Sequence, residues 1–91
     1  MRDRVRNREY LITSHAYEEL LDDDLTVFDL EHAILDGEII ERQRDTDTNE
    51  TKYVLKGATL DDGFIIVVAK LPITRRLVII TVFRDLSLIH I

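Results

Sequence analysis

Two runs of apolar, mostly β-branched residues, Ile65-Ile66-Val67-Val68 and Leu77-Val78-Ile79-Ile80, constrain this chain more than any other feature. Branching at Cβ suits a pleated strand and crowds a helical turn. With apolar residues at both parities, each run belongs at the centre of a sheet. Period-two counting gives strands at about 38–45, 51–58, 64–71 and 76–84. Asp61-Asp62-Gly63 signals a hairpin and Asp45 to Glu50 an earlier turn. Pro72, with no N–H for the ladder, ends the third strand.

Ahead of Glu38 the apolar spacing is helical. Ser14 is a suitable N-cap for a helix running to Asp24, with Ala16, Tyr17, Leu20 and Leu21 on one face and His15, Glu18, Glu19 and Asp22 opposite. Thr26-Val27-Phe28-Asp29 matches a capping box, opening a second helix that ends at Asp36 with Gly37 as its C′ residue. Val27, Leu30 and Ile34 form its buried stripe, and Asp29 and His32 point away. Tyr10-Leu11-Ile12 is a short extended lead-in. The expected fold is α+β, with two N-terminal helices packed on one face of a four-stranded antiparallel sheet. Residues 1–85 form one domain, and 86–91 are expected to be a non-native or disordered tail.

The chain has 91 residues and no cysteine, so it has neither a disulfide framework nor a thiolate metal site. No apolar run is long enough to span a bilayer, and the arginine-rich start has no apolar stretch behind it, so the expected location is the cytoplasm. The net charge of −6 is unevenly distributed. Residues 1–9 carry four arginines against two acids; residues 10–38 carry nine acids and no Lys or Arg; residues 39–91 carry eight bases against seven acids. A polyanion would be repelled by the helical part and tolerated by the sheet or the arginine arm.

Four fragments in order carry a family resemblance: Ile12-Thr13-Ser14-His15-Ala16, then Ile34 to Glu41, then Val54-Leu55-Lys56-Gly57, then Ile79-Ile80-Thr81-Val82-Phe83. Together, over about residues 8–85, the chain resembles the bacterial domain-of-unknown-function family 4258. The resemblance implies a barnase/EndoU/colicin/RelE-like ribonuclease fold, similar in layout to the mRNA-cleaving toxin MqsR, and an association with toxin–antitoxin pairs. It implies His15 and Thr81 as site residues, with a basic residue just after the last strand, here Arg84. The chain departs from the pattern at Glu19 and Asp23, where many relatives carry arginines, which subtracts phosphate-binding charge beside His15.

Each candidate has a competing structural role. His15, at a helix start, offers an imidazole to move the 2′-OH proton of RNA, or simply pairs with Glu19 one turn on. The Thr81 hydroxyl could position a phosphate oxygen, but threonine also favours strands. Arg84, Arg76, Arg42 and Arg44 could bind phosphate through their guanidinium groups, or be solvated edge charges. By parity Arg84, Arg76, Val78 and Val82 share a face that excludes Thr81, unless a bulge or strand end intervenes. Asp45 to Lys56 lacks the glycine and terminal glutamate of a calcium loop, and no His or acid spacing suggests a metal ligand set.

The expected activity is metal-independent, cofactor-free cleavage of single-stranded RNA, with an antitoxin protein as a second partner class. His15 would be base or acid, Arg84 (with Arg76) would stabilise the phosphorane charge, and Thr81 would orient the phosphate, with Arg42 and Arg44 adding substrate-binding charge. The rivals are a non-catalytic protein-interaction domain with acidic helices, and a degenerate relative without activity. A basic patch around His15 favours the enzyme; a negative surface reaching it favours the binding module.

Overall fold

The computed structural model describes residues 10–48, 50–71 and 76–85. The arginine arm and the 86–91 tail lie outside the described residues. In chain order the elements are β1 (Tyr10–Ile12), α1 (Ser14–Asp22), α2 (Val27–Asp36), β2 (Glu38–Asp45), β3 (Glu50–Ala58), β4 (Phe64–Leu71) and β5 (Leu77–Arg84). The fold is α+β, but the sheet has five strands in the order β1-β5-β4-β3-β2 and is mixed. The expected four strands form an antiparallel meander, and Tyr10–Ile12 is the fifth, parallel to β5. Three residues are too few to show a period, which is why this strand reads as a lead-in.

β4 and β5 are interior strands, as the two apolar runs require. Ile65, Val67, Ala69, Leu77, Ile79 and Val82 are buried and meet Ala16, Leu20, Leu30, Ala33 and Ile34 of the helices. On the opposite parity Ile66, Val68, Val78 and Ile80 are only half-buried. The β4–β5 register slips so that Val68 faces Thr81 while Ala69 faces Ile79, leaving Ile80 as an extra residue. This bulge changes the parity of β5. Val82 therefore shares the helix-covered side with Leu77 and Ile79 rather than with Val78, and the expected common face of Arg76, Val78, Val82 and Arg84 does not form.

α1 is capped by Thr13, not Ser14: the Thr13 hydroxyl accepts from the Ala16 N–H at 3.2 Å. The helix ends at Asp22, two residues earlier than expected. Leu25 N–H donates to Leu20 C=O at 2.7 Å and Asp24 N–H to Leu21 C=O at 3.2 Å, with Asp24 at φ 57°. That is a Schellman ending, with Leu20 and Leu25 as its apolar pair. Of the expected buried face of α1, Ala16 and Leu20 are buried, while Tyr17 and Leu21 are exposed.

α2 opens on the expected capping box of Thr26 and Asp29. Asp29 does not point away into solvent: it is 8% exposed and accepts from Leu60 N–H at 2.9 Å, pinning the β3–β4 turn to the helix start. Burial alone would push this carboxyl up. The amide of Leu60, then the amide and hydroxyl of Thr26, nevertheless hold it below its ordinary value.

The other end of α2 meets β3 at two glycines. A Cβ on Gly57 would stand 2.2 Å from Ala33 O, and one on Gly37 would stand 2.2 Å from that same oxygen and 2.5 Å from Lys56 O. Gly37 has φ −85°, so close approach, not a left-handed turn, requires glycine there.

Candidate functional site

β1 ends at Ile12, opposite Ile79, and beyond that point α1 runs along the open edge of β5. Thr13 makes the junction. Its N–H donates to Ile79 C=O at 3.1 Å and its hydroxyl to the carbonyl of the bulge residue Ile80 at 3.2 Å. Next along the edge, the Val82 N–H donates to Glu19 Oε1 at 3.2 Å, and two residues later the Arg84 N–H donates to Asp23 Oδ2 at 3.3 Å. Residues two apart on a strand present their amides to the same side, and residues four apart on a helix are neighbours on one face. Glu19 and Asp23 thus take the place of a neighbouring strand as acceptors.

The three catalytic candidates lie along this edge. His15 Nε2 is 3.2 Å from Glu19 Oε1, and the Thr81 hydroxyl donates to the same oxygen. One carboxylate oxygen therefore brings His15 and Thr81 together. Arg84 is engaged elsewhere: its Nε donates to Asp23 C=O at 3.1 Å, and its Nη2 is 3.5 Å from Asp61 Oδ2. The Thr59 hydroxyl, and then the Gly63 amide, hold the Asp61 carboxyl below its ordinary value, with the Arg84 charge a smaller contribution in the same direction. The His15 side chain is 70% exposed, whereas Glu19 is 24% exposed.

The remaining candidates are not gathered here. Arg42 and Arg44 lie on β2, separated from β5 by β3 and β4, about 14 Å across the sheet at ordinary strand spacing. Arg42 sits over the Tyr53 ring at 5.4 Å. Arg76 precedes Leu77, at the opposite end of β5 from Arg84. Among the described residues no three His, Asp or Glu side chains converge as a metal site would.

By sequence, Glu19 and Asp23 stand where the family resemblance leads one to expect cations; in the structure they are the acceptors around which the site is built. The spacing of four residues on a helix beside an unpaired strand edge was the available signal, but it became meaningful only once β5 was known to outrun β1. Thr13 was missed because Ser14, its neighbour, is an equally good cap by type.

The four sequence fragments singled out above reduce to two contacts. Ile34 to Glu41 meets Val54 to Gly57 at the paired glycines, and Ile12 to Ala16 meets Ile79 to Phe83 through Thr13. Residues 12–84 match the family model described as domain of unknown function DUF4258, a span that contains both contacts. The chain belongs to this family. No curated protein and no solved structure matches it. In this DUF4258 domain, the glycine contact fixes the fold, while the threonine contact also positions the polar edge. No helix among its described residues is long and apolar enough to cross a membrane.

A second surface feature lies on the helical layer. Tyr17, Leu20, Leu21, Leu25, Thr26, Val27 and Phe28 line a groove of about 300 Å³ between the two helices. Leu21 and Phe28 are each 64% exposed and Tyr17 is 50% exposed.

Proposed function

We propose that this domain is a protein-interaction module that receives a basic amphipathic segment of a partner in the groove between α1 and α2. The observation that carries the reading is the groove itself, where large apolar side chains stand exposed in a layer whose charged groups, from residue 10 to 38, are nine acids with no Lys or Arg. Covering Tyr17, Leu21 and Phe28 removes apolar area from water at roughly 25 cal/mol per Å². The acidic surroundings steer and orient a cationic partner. An amphipathic helix laid into a groove fits both. An antitoxin with such a segment is one partner of this chemistry.

The second reading is the ribonuclease, favoured by the meeting of His15 and Thr81 at one oxygen. Single-stranded RNA would be cleaved by 2′-OH attack, with His15 moving the proton, Thr81 orienting the phosphate and Arg84 balancing its charge. It ranks second because Glu19 and Asp23 already occupy these donors, and their charge opposes a phosphate.

Calorimetry separates the two. A helical peptide with leucines at i, i+3, i+4 and i+7 and lysines elsewhere should bind saturably, more weakly at high salt, with an affinity reduced about tenfold or more by Leu21→Asp or Phe28→Asp. Absence of binding, or binding indifferent to both substitutions, would sink the module. Cleavage of mixed single-stranded RNA in EDTA by the wild type, lost in His15→Ala, would put the ribonuclease first.

A further inference from the structure

We propose that the β5 edge at Thr81 and Val82, together with His15, is an oxyanion site, and that Glu19 is an internal anion that keeps it closed to phosphate. Three groups from two elements, α1 and β5, converge on Glu19 Oε1: His15 Nε2 at 3.2 Å, the Val82 N–H at 3.2 Å and the Thr81 hydroxyl. Satisfying the strand edge alone requires one acceptor for one amide. A backbone amide, a hydroxyl and a ring nitrogen focused on one charged oxygen is how proteins hold carboxylates and phosphates.

The backbone that carries these donors does not depend on Glu19 for its placement. Val82 is fixed by its pairing with Val67, and Thr81 by its pairing with Val68 beside the bulge. The edge is open there because β1 stops opposite Ile79. The start of α1, which carries His15, is held by Thr13 through Ile79 C=O and Ile80 C=O. Removing the Glu19 side chain therefore leaves the Val82 amide and the backbone of Thr81 and His15 around a vacated anion position, where both side chains can turn to a new anion, with Arg84 two residues further along the edge. A phosphate group, with more charge and more oxygens than a carboxylate, is the ligand class that fits. This inference is independent of the α1–α2 groove, so either can fail alone.

The test is a titration of ¹⁵N-labelled protein with inorganic phosphate, exchanged for chloride at constant ionic strength. Glu19→Ala should show saturable shifts at the Thr81 and Val82 amides, with affinity at least about tenfold above that of the wild type. Adding Thr81→Val to Glu19→Ala should weaken that binding again. A folded Glu19→Ala with no saturable shift, or with the same shifts as the wild type, overturns the proposal. If Glu19→Ala does not fold, Glu19→Gln removes the charge at nearly constant shape. Tighter phosphate binding than wild type then supports the site, and equal binding overturns it.

Discussion

α2 and α1 reach the same sheet by different means. α2 lies on β3 with backbone against backbone: Ala33 O occupies the space where Gly37 and Gly57 would otherwise carry side chains. Its other end is pinned by the buried carboxylate of Asp29. α1 sits on the edge of β5 and is joined to it beyond Thr13 by the side chains of Glu19 and Asp23. The first contact is a matter of volume, which admits few substitutions. Beyond the buried Ala16 and Leu20, the second is a matter of charge and hydrogen bonding, so different polar side chains can fill it while the backbone stays in place.

The seat of α2 is most sensitive to substitution at β3. Gly57→Ala places a methyl 2.2 Å from a backbone oxygen and 2.6 Å from the Ala33 Cα, neither of which can swing aside. A loss of about 3 kcal/mol or more is expected, a large share of the stability of so small a domain. Denaturant unfolding reads it, and a midpoint within error of wild type would mean that α2 is not seated as described.

A smaller effect is expected at Asp29. Asp29→Ala removes the side-chain half of the capping box, accepted from Thr26, and leaves the Leu60 amide without its acceptor, costing about 1–3 kcal/mol. The pH dependence has a definite sign. Folding lowers this pKa, so the contribution is complete above the unfolded value of about 3.9 and is lost as pH falls through the folded value. Stability measured from pH 6 downward should therefore fall less steeply below about pH 4 in Asp29→Asn than in wild type. Parallel curves would contradict the assignment.

Glu19→Ala should cost least, about 1 kcal/mol or less, since its carboxylate lies at an open strand edge, about a quarter exposed, where water can replace some of its hydrogen bonds. A loss matching that of Gly57→Ala would erase the distinction between the two helices.

Much of this architecture was legible in the residues. The strand runs, the Thr26–Asp29 box and the change of period at Gly37 identified two helices and four of the five strands, because each is a local signal. What was not legible depended on distant partners. Tyr10–Ile12 became a strand only by pairing with β5, and the parity of β5 turned on a bulge at Ile80 that no side chain announces. Asp29 reads as polar and outward until Leu60 supplies its partner. At the site, His15 and Thr81 were found by resemblance and do meet. Arg42, Arg44 and Arg76 follow from charge and strand-face parity, and the sheet disperses them.

In the proposed reading this DUF4258 domain meets its partner through the apolar groove between α1 and α2, with acids around it, and not through the β5 edge. The direct measurement is a pair of ¹H–¹⁵N titrations at physiological salt, one with the lysine–leucine helical peptide and one with a single-stranded RNA. Saturable peptide-induced shifts centred on Tyr17, Leu21 and Phe28 are expected, with no saturable response to RNA. Saturable RNA shifts centred on His15, Thr81 and Val82, with the groove residues silent to the peptide, would contradict it.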